Sequence, residues 1–136
     1  MKIHHIGIAV RSLDESLAFY RDALGLKVAS TEAVPGEGVR VAFLPMGEPR
    51  IELLEALGPD SPVARFVAKK GEGIHHICFQ VADIEEALAA MRLRGAEIIE
   101  PAIRIGAGGN RIAFIHPRST HGVLLELKEI REGTAP

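Results

Sequence analysis

The chain of 136 residues contains one cysteine, no cluster of basic residues and no long apolar run, and each of these absences excludes a class of protein. The single cysteine, Cys78, cannot form a disulfide within the chain, and we interpret it as a packing or cavity-lining residue, not a nucleophile. With a formal net charge of −2 and no Lys/Arg stripe, nucleic acid is not an expected partner. No apolar segment approaches the ~18 residues of a membrane span, and the N-terminus lacks a signal-peptide pattern. The sequence therefore predicts a cytoplasmic protein with no membrane partner.

A pattern that begins with two histidines occurs twice, at residues 4–10 and again at residues 75–81. Each copy alternates apolar residues with small or polar ones, which predicts a strand with one apolar face and one uncrowded face. The uncrowded face carries His5 in the first copy and His76 in the second. Two such imidazoles favour a metal cavity, and a pair of ordinary half-buried strand histidines is the alternative.

The spacing between these two copies also relates other segments of the chain. The helix-start signature at residues 12–15 matches residues 83–86, and the predicted strand 40–44 matches 111–115. The chain is therefore an internal duplication. We predict a single domain, 1–136, with module one at 1–57, a connector helix within 58–72 and module two at 73–130, and each module has the element order β-α-β-β-β.

The hydrophobic pattern and the turn residues predict the individual elements. Module one is expected to contain a helix at 12–24, with Leu13, Leu17, Tyr20 and Leu24 on its apolar side, followed by strands at 26–34, 39–44 and 50–56. The connector helix should be capped by Asp60 or Ser61. Module two should contain a helix at 83–94 with an apolar side that includes Leu93, strands at 96–100, 111–115 and 123–127, and a mobile glycine-rich loop at 105–109.

A glutamate interrupts the last apolar strand of each module, Glu52 in the first and Glu126 in the second. Their spacing slightly exceeds that of the histidines, because the hairpin before Glu126 is longer than the one before Glu52. A buried carboxylate is costly without a cation, although a solvated sheet edge is the alternative at either position. Each module thus supplies one histidine and one glutamate. Two imidazoles and two carboxylates suit a borderline divalent ion such as Co²⁺, Mn²⁺, Ni²⁺, Fe²⁺ or Zn²⁺, whereas a structural zinc site would usually require several cysteines.

These features resemble the vicinal oxygen chelate superfamily, and nearly the whole chain resembles its methylmalonyl-CoA epimerase family. The stretches that carry the resemblance are His5-Ile6-Gly7-Ile8-Ala9-Val10, Asp60-Ser61-Pro62-Val63-Ala64, Gly73-Ile74-His75-His76-Ile77-Cys78, Ile105-Gly106-Ala107-Gly108-Gly109, Phe114-Ile115-His116-Pro117-Arg118 and Gly122-Val123-Leu124-Leu125-Glu126-Leu127. The resemblance implies an α+β fold in which two tandem βαβββ modules form a cupped mixed sheet around a metal site. It also implies one divalent ion per chain, Co²⁺ first and Mn²⁺, Ni²⁺ or Zn²⁺ as alternatives, with the ligands His5, Glu52, His76 and Glu126.

The activity that the resemblance implies is the interconversion of (2R)- and (2S)-methylmalonyl-CoA by metal-assisted proton abstraction at C2, through an enediolate. Glu126 is the first candidate base and Glu52 its partner on the opposite face, and a homodimer is expected. Two positions depart from the family pattern. Some epimerases carry Gln where this chain has Glu52, and some carry a Glu, proposed as a base, where this chain has Val41. A mechanism that depends on a base at position 41 cannot be transferred to this chain.

Three other activities of the same superfamily are alternatives to the epimerase. Glyoxalase I shares the metal shell and an enediolate intermediate but isomerises a glutathione hemithioacetal. Bleomycin-resistance-type proteins bind ligands without metal, and apolar or small residues at the four ligand positions would have favoured them. A metal-dependent dioxygenase usually keeps two histidines and one carboxylate, one ligand fewer than this chain offers.

Overall fold

The computed structural model describes residues 1–131, and its chain divides into two compact units. The first unit is His5–His75, and the second unit comprises Met1–His4 together with the chain from His76 onward. Among residues 1–131, no helix combines the length and the apolar character that crossing a bilayer would require.

The first unit pairs its strands in the order β2-β3-β4-β1, with β1 and β4 parallel and the other neighbours antiparallel. A π-helical segment, Ala18–Ala23, follows its first helix directly. The helices and strands are β1 (Lys2–Ala9, whose first residues belong to the second unit), α1 (Leu13–Leu17), β2 (Ser30–Val34), β3 (Val39–Pro45), β4 (Arg50–Ala56) and α2 (Pro62–Lys70).

The second unit repeats this topology, with the strand order β5-β8-β7-β6, a parallel pair β5–β8 and antiparallel neighbours elsewhere. Its helices and strands are β5 (Gly73–Val81, whose first residues belong to the first unit), α3 (Ile84–Leu93), β6 (Arg104–Ile105), β7 (Arg111–Ile115) and β8 (Leu125–Glu129). The predicted α+β class and the paired βαβββ modules are confirmed.

The strand pairings on either side of the two glutamates correspond residue by residue. Glu52 lies opposite Gly7 on β1 and Phe43 on β3. Glu126 lies opposite Cys78 on β5 and Phe114 on β7. These partners occupy equivalent places in the two repeated sequence segments, so the duplication extends to the pairing of the strands that carry Glu52 and Glu126.

Side-chain caps fix where the helices begin, as the sequence predicts. The Ser12 hydroxyl accepts from the Glu15 N–H at 3.2 Å, and the Asp83 carboxylate accepts from the Glu86 N–H at 3.0 Å. Ser61, not Asp60, caps α2.

Helix α1 in the first unit and α3 in the second pack against one face of their own strands. In the first unit Leu53 on β4 is fully buried in this core, and in the second Leu127 on β8 is fully buried. Because side chains alternate along a strand, the preceding residues, Glu52 and Glu126, point to the other face. The core side chains are Val10, Leu13, Leu17, Ala42, Leu44 and Leu53 in the first unit, and Val81, Ile84, Leu88, Ile98, Ala113, Ile115 and Leu127 in the second.

The predicted helix 12–24 is confirmed as helical over residues 13–23, but its second half is not α-helical. It is α-helical only to Leu17, after which the π-helical segment begins and the Leu24 N–H donates to the Phe19 carbonyl at 2.7 Å. A π-helix holds more residues per turn than an α-helix, so the predicted apolar side is shifted: Tyr20 still packs against the core, but Leu24 does not. Leu24 is consequently 54% exposed instead of joining the core.

Several predicted boundaries in the second module are also wrong. The predicted strand 96–100 forms one bridge, between Ile98 and Ile115, and β6 pairs with the other end of β7. The predicted strand 123–127 begins later than expected, as β8 starts at Leu125. Leu93, predicted to lie on the apolar side, is 89% exposed at the end of α3.

One further strand and one loop also differ from the prediction. The predicted strand 26–34 begins later than expected, as β2 starts at Ser30. The loop 105–109, predicted to be mobile, includes the end of β6 and a hydrogen-bonded 3₁₀ turn at Ala107–Gly109.

Candidate metal and active site

The first unit contains a buried histidine–glutamate pair on two neighbouring parallel strands. His5 Nδ1 lies 3.1 Å from Glu52 Oε2. The two residues are 2% and 3% exposed, respectively. In the sheet Glu52 stands beside Gly7, which has no side chain, so the imidazole two residues earlier on β1 can reach the carboxylate.

The second unit contains the corresponding pair. His76 Nε2 lies 2.9 Å from Glu126 Oε1, and both residues are buried. The Phe114 ring packs edge-on against the His76 imidazole, with centroids 6.1 Å apart and planes at 90°. The Arg104 guanidinium lies 5.4 Å from the centroid of the same ring. The Phe114 ring thus limits the orientations that the His76 side chain can adopt.

The two pairs present chemically equivalent groups through different imidazole nitrogens, Nδ1 in His5 and Nε2 in His76. A neutral imidazole carries one N–H and one nitrogen lone pair, and a carboxylate carries several oxygen lone pairs. Each pair can therefore share a hydrogen bond when no cation is present, or offer one nitrogen and one oxygen ligand to a divalent ion. The described residues thus include histidine and glutamate groups suited to a metal ion, whereas binding of one ion by all four residues stays a prediction.

The structure places the other residues singled out from the sequence in supporting positions. Cys78 is fully buried, which agrees with a packing role. His4 is also buried, and the His75 ring packs edge-on against Phe66 of α2 at 5.0 Å between centroids. Val41 is 2% exposed and apolar, so its position holds no acid–base group.

Sequence reasoning missed a second glutamate in each of the two glutamate-bearing strands. The Leu13 N–H of α1 donates to Glu55 Oε2 at 2.9 Å, and the Ile84 N–H of α3 donates to Glu129 Oε2 at 3.0 Å. These two glutamates have the same spacing as Glu52 and Glu126, so the repeat contained the signal. Residues three positions apart on a strand point to opposite faces of the sheet. This second carboxylate therefore lies on the helix side. There it accepts from an otherwise unsatisfied N–H in the first turn and interacts favourably with the helix dipole.

Glu129 is the more strongly held of these two carboxylates. Arg111 donates to it from Nε at 3.1 Å and from Nη2 at 3.0 Å. The bonds from Arg111, followed by that from the Ile84 N–H, lower the pKa of Glu129 from 4.5 to about 2. Above that pH, the anionic carboxylate of Glu129 on β8 binds Arg111 of β7 and the first N–H of α3. These contacts hold three elements together on the side of β8 opposite Glu126.

A buried cation was also missed. Lys128 is 3% exposed and lies on β8, two residues after Glu126. In the sequence it appears as one of several lysines and arginines near the C-terminus, and nothing in the pattern distinguishes it from a solvated residue.

Comparison with known proteins gives a consistent picture. Residues 4–114 match the sequence profile of the Glyoxalase/Bleomycin resistance protein/Dioxygenase superfamily. The ethylmalonyl-CoA/methylmalonyl-CoA epimerase of Cereibacter sphaeroides is 39% identical over 133 residues, which cover 95% of this chain and 98% of that protein. The mitochondrial methylmalonyl-CoA epimerase of Homo sapiens is 38% identical over 129 residues, which cover 94% of this chain and 73% of that protein.

A solved structure extends the similarity to three dimensions. A variant of Streptomyces coelicolor methylmalonyl-CoA epimerase in complex with 2-nitronate-propionyl-CoA matches this chain with a TM-score of 0.90 and 41% sequence identity. The match covers 95% of this chain and 96% of that structure.

Proposed function

Because the chain belongs to the Glyoxalase/Bleomycin resistance protein/Dioxygenase superfamily, we propose that it is an enzyme that interconverts (2R)- and (2S)-methylmalonyl-CoA. The observation that carries the proposal is the buried histidine–glutamate pair at corresponding places in the two units. Relatives named as epimerases of this substrate, similar over nearly the full length of the chain, support it.

Two imidazoles and two carboxylates form a donor set of the type that borderline divalent ions prefer. We propose that His5, Glu52, His76 and Glu126 bind one such ion, with Co²⁺ as the first candidate and Mn²⁺, Ni²⁺ or Zn²⁺ as alternatives. The four residues are at most 6% exposed, and a divalent ion would offset the cost of burying two carboxylates. When bound, such an ion polarises the substrate's carbonyl and carboxylate oxygens and so acidifies the neighbouring C–H.

The protein's own residues would then move the proton. The C2–H of methylmalonyl-CoA lies between a thioester and a carboxylate, so its removal produces an enediolate. We assign its removal on one face to the carboxylate of Glu126, and proton return on the opposite face to Glu52, its counterpart in the duplication. Some epimerases carry a glutamate, proposed as a base, at the position of Val41, and valine cannot transfer a proton. Glu126 and Glu52 are therefore our candidates for proton transfer.

The domain organisation, oligomeric state and location are proposed together with this function. Residues 1–57 and 73–130 would act as modules of one domain, joined by 58–72. A homodimer and a cytoplasmic location stay predictions, and size-exclusion chromatography with light scattering measures the first directly.

Deuterium exchange tests the function. The metal-loaded protein is incubated with (2R)- or (2S)-methylmalonyl-CoA in D₂O, and deuterium at C2 and the epimer ratio are followed by NMR. We expect incorporation of deuterium and the same final mixture from either epimer, with metal-stripped protein as the control. An absence of exchange would contradict the proposal, and turnover of the glutathione–methylglyoxal hemithioacetal in its place would favour glyoxalase I.

A further inference from the structure

Lys128 is a charged residue of the second unit whose burial is not explained by its packing. It is 3% exposed, although lysine is almost never fully buried unless its ammonium is paired. A leucine or methionine would fill the same space without desolvating a charge. A lysine at such a position indicates that its ammonium has a partner to bind.

The pairing of β8 places Lys128 on the face that carries Glu126. Glu126 lies opposite Phe114, and Lys128 lies opposite Ile112 on the same strand. Residues two apart on a strand share a face and are separated by roughly 6–7 Å along it. The intervening residue, Leu127, points into the apolar core on the other side. Lys128 is therefore a neighbour of the histidine–glutamate pair, not part of the helix-packing face.

A glycine-built turn holds the ammonium in place. Lys128 Nζ donates to the Ala107 carbonyl at 3.3 Å. The turn packs directly on the sheet, because a Cβ added at Gly106 would come within 2.7 Å of the Ile112 side chain. Asn110 secures it further by donating from Nδ2 to the Glu129 carbonyl at 3.1 Å.

The ammonium keeps donor capacity beyond this bond. A lysine carries three N–H groups, and within residues 1–131 the Ala107 carbonyl is the one hydrogen-bond acceptor it contacts. A neutral carbonyl orients a cation but does not neutralise it. The remaining N–H groups suit an anionic ligand, and charge-assisted hydrogen bonds to a carboxylate are among the stronger ones.

We propose that Lys128 is a specificity-determining residue that binds the free carboxylate of the substrate. This inference rests on the proposed function, in which the substrate carries a carboxylate on the reacting carbon. The ammonium would bind that carboxylate on the Glu126 side of the second unit. The thioester carbonyl oxygen would be the other substrate oxygen polarised by the proposed ion. Acyl-CoA esters of the malonyl class would thereby be selected over simple acyl-CoA esters.

A matched pair of ligands tests the proposal by isothermal titration calorimetry. Methylmalonyl-CoA, as its equilibrium mixture of epimers, is compared with propionyl-CoA, which has hydrogen in place of the carboxylate. In Lys128→Met the apolar stem is kept and the charge is removed. We expect its affinity for methylmalonyl-CoA to fall by about 10- to 100-fold, the loss typical of a hydrogen bond to a charged group, with propionyl-CoA affinity within about twofold of wild type.

Two further variants keep the test informative. Lys69→Met, which removes an exposed lysine at the end of α2, should change neither affinity. Lys128→Gln keeps an N–H donor for the Ala107 carbonyl without the charge, and it should show the same selective loss if Lys128→Met fails to fold.

Each outcome supports or overturns a defined statement. Equal weakening of both ligands would overturn the proposal and assign Lys128 to supporting the turn. If the wild type binds and epimerises methylmalonyl-CoA while the Lys128 variants keep the wild-type ratio of affinities, only this inference fails. A wild type that neither binds nor epimerises methylmalonyl-CoA would overturn the proposed function and this inference together.

Discussion

Replacing Glu126 by glutamine separates its role as a base from its role as a ligand. Glu126 is 6% exposed, and its Oε1 lies 2.9 Å from His76 Nε2. Glutamine has nearly the same shape and retains an oxygen that can accept from the imidazole or bind an ion. The substitution removes the negative charge and the basicity, and leaves the rest of the local geometry in place.

The expected magnitude follows from the loss of general-base catalysis. Removing a positioned base typically lowers the rate by ~10²–10⁴-fold, which corresponds to about 3–5 kcal/mol of activation free energy. The stability should change much less, by about 1 kcal/mol, because the contact with His76 remains a hydrogen bond and no cavity is created. Activity and stability should therefore separate clearly in Glu126→Gln.

The assay combines turnover, metal content and thermal unfolding for Glu126→Gln and for the matched control Glu52→Gln. A severe loss of epimerisation at Glu126 with a mild loss at Glu52 would support one dominant base. Equal, severe losses in both would support two bases related by the duplication. A metal-replete Glu126→Gln protein with near-normal turnover would refute the role assigned to Glu126.

Three further measurements test the remaining arguments. His76→Ala should lose tight binding of Co²⁺ or Mn²⁺ by elemental analysis, whereas His75→Ala, the neighbouring control, should keep the metal; full occupancy in His76→Ala would contradict the ligand assignment. Glu129→Gln should lower the free energy of unfolding by about 1–3 kcal/mol at pH 7, as for loss of hydrogen bonds to a charged group. Because the folded-state pKa of Glu129 is about 2 and its ordinary value is 4.5, this difference should be complete above pH 4.5 and disappear as the pH falls toward 2; a difference that persists at pH 2 would contradict the sign. Leu88→Ala, at a 1% exposed position in the core of the second unit, should cost about 2–5 kcal/mol in chemical denaturation while metal content stays unchanged, and a cost below about 1 kcal/mol would argue against its packing role.

Features that repeat along the chain could be predicted without the structure. The constant spacing between matching segments identified the duplication, and capping residues such as Ser12 and Asp83 located helix starts because they satisfy N–H groups only three positions away. The histidines and glutamates of the candidate site could be found for the same reason: a polar residue inside an apolar strand, present at equivalent places twice, is a local signal.

Features that depend on a distant partner could not be predicted in this way. Residues 96–100 have the composition of a strand, yet they form a single bridge, between Ile98 and Ile115, while β6 pairs with Arg111 and Ile112 at the other end of β7. Leu24 has the spacing of a core residue, but the π-helical segment changes its direction.

The amino-acid sequence by itself determined the two βαβββ modules and the residue types of the candidate site, because alternation and repetition are properties of the chain. Only the tertiary structure decided which charged groups are buried and what they contact. Glu129 and Lys128 are adjacent in sequence, but one carboxylate holds the start of α3 and the neighbouring ammonium lies on the face of Glu126. The physical reason is that a strand directs successive side chains to opposite faces, and the partners on each face come from parts of the chain that the local sequence does not specify.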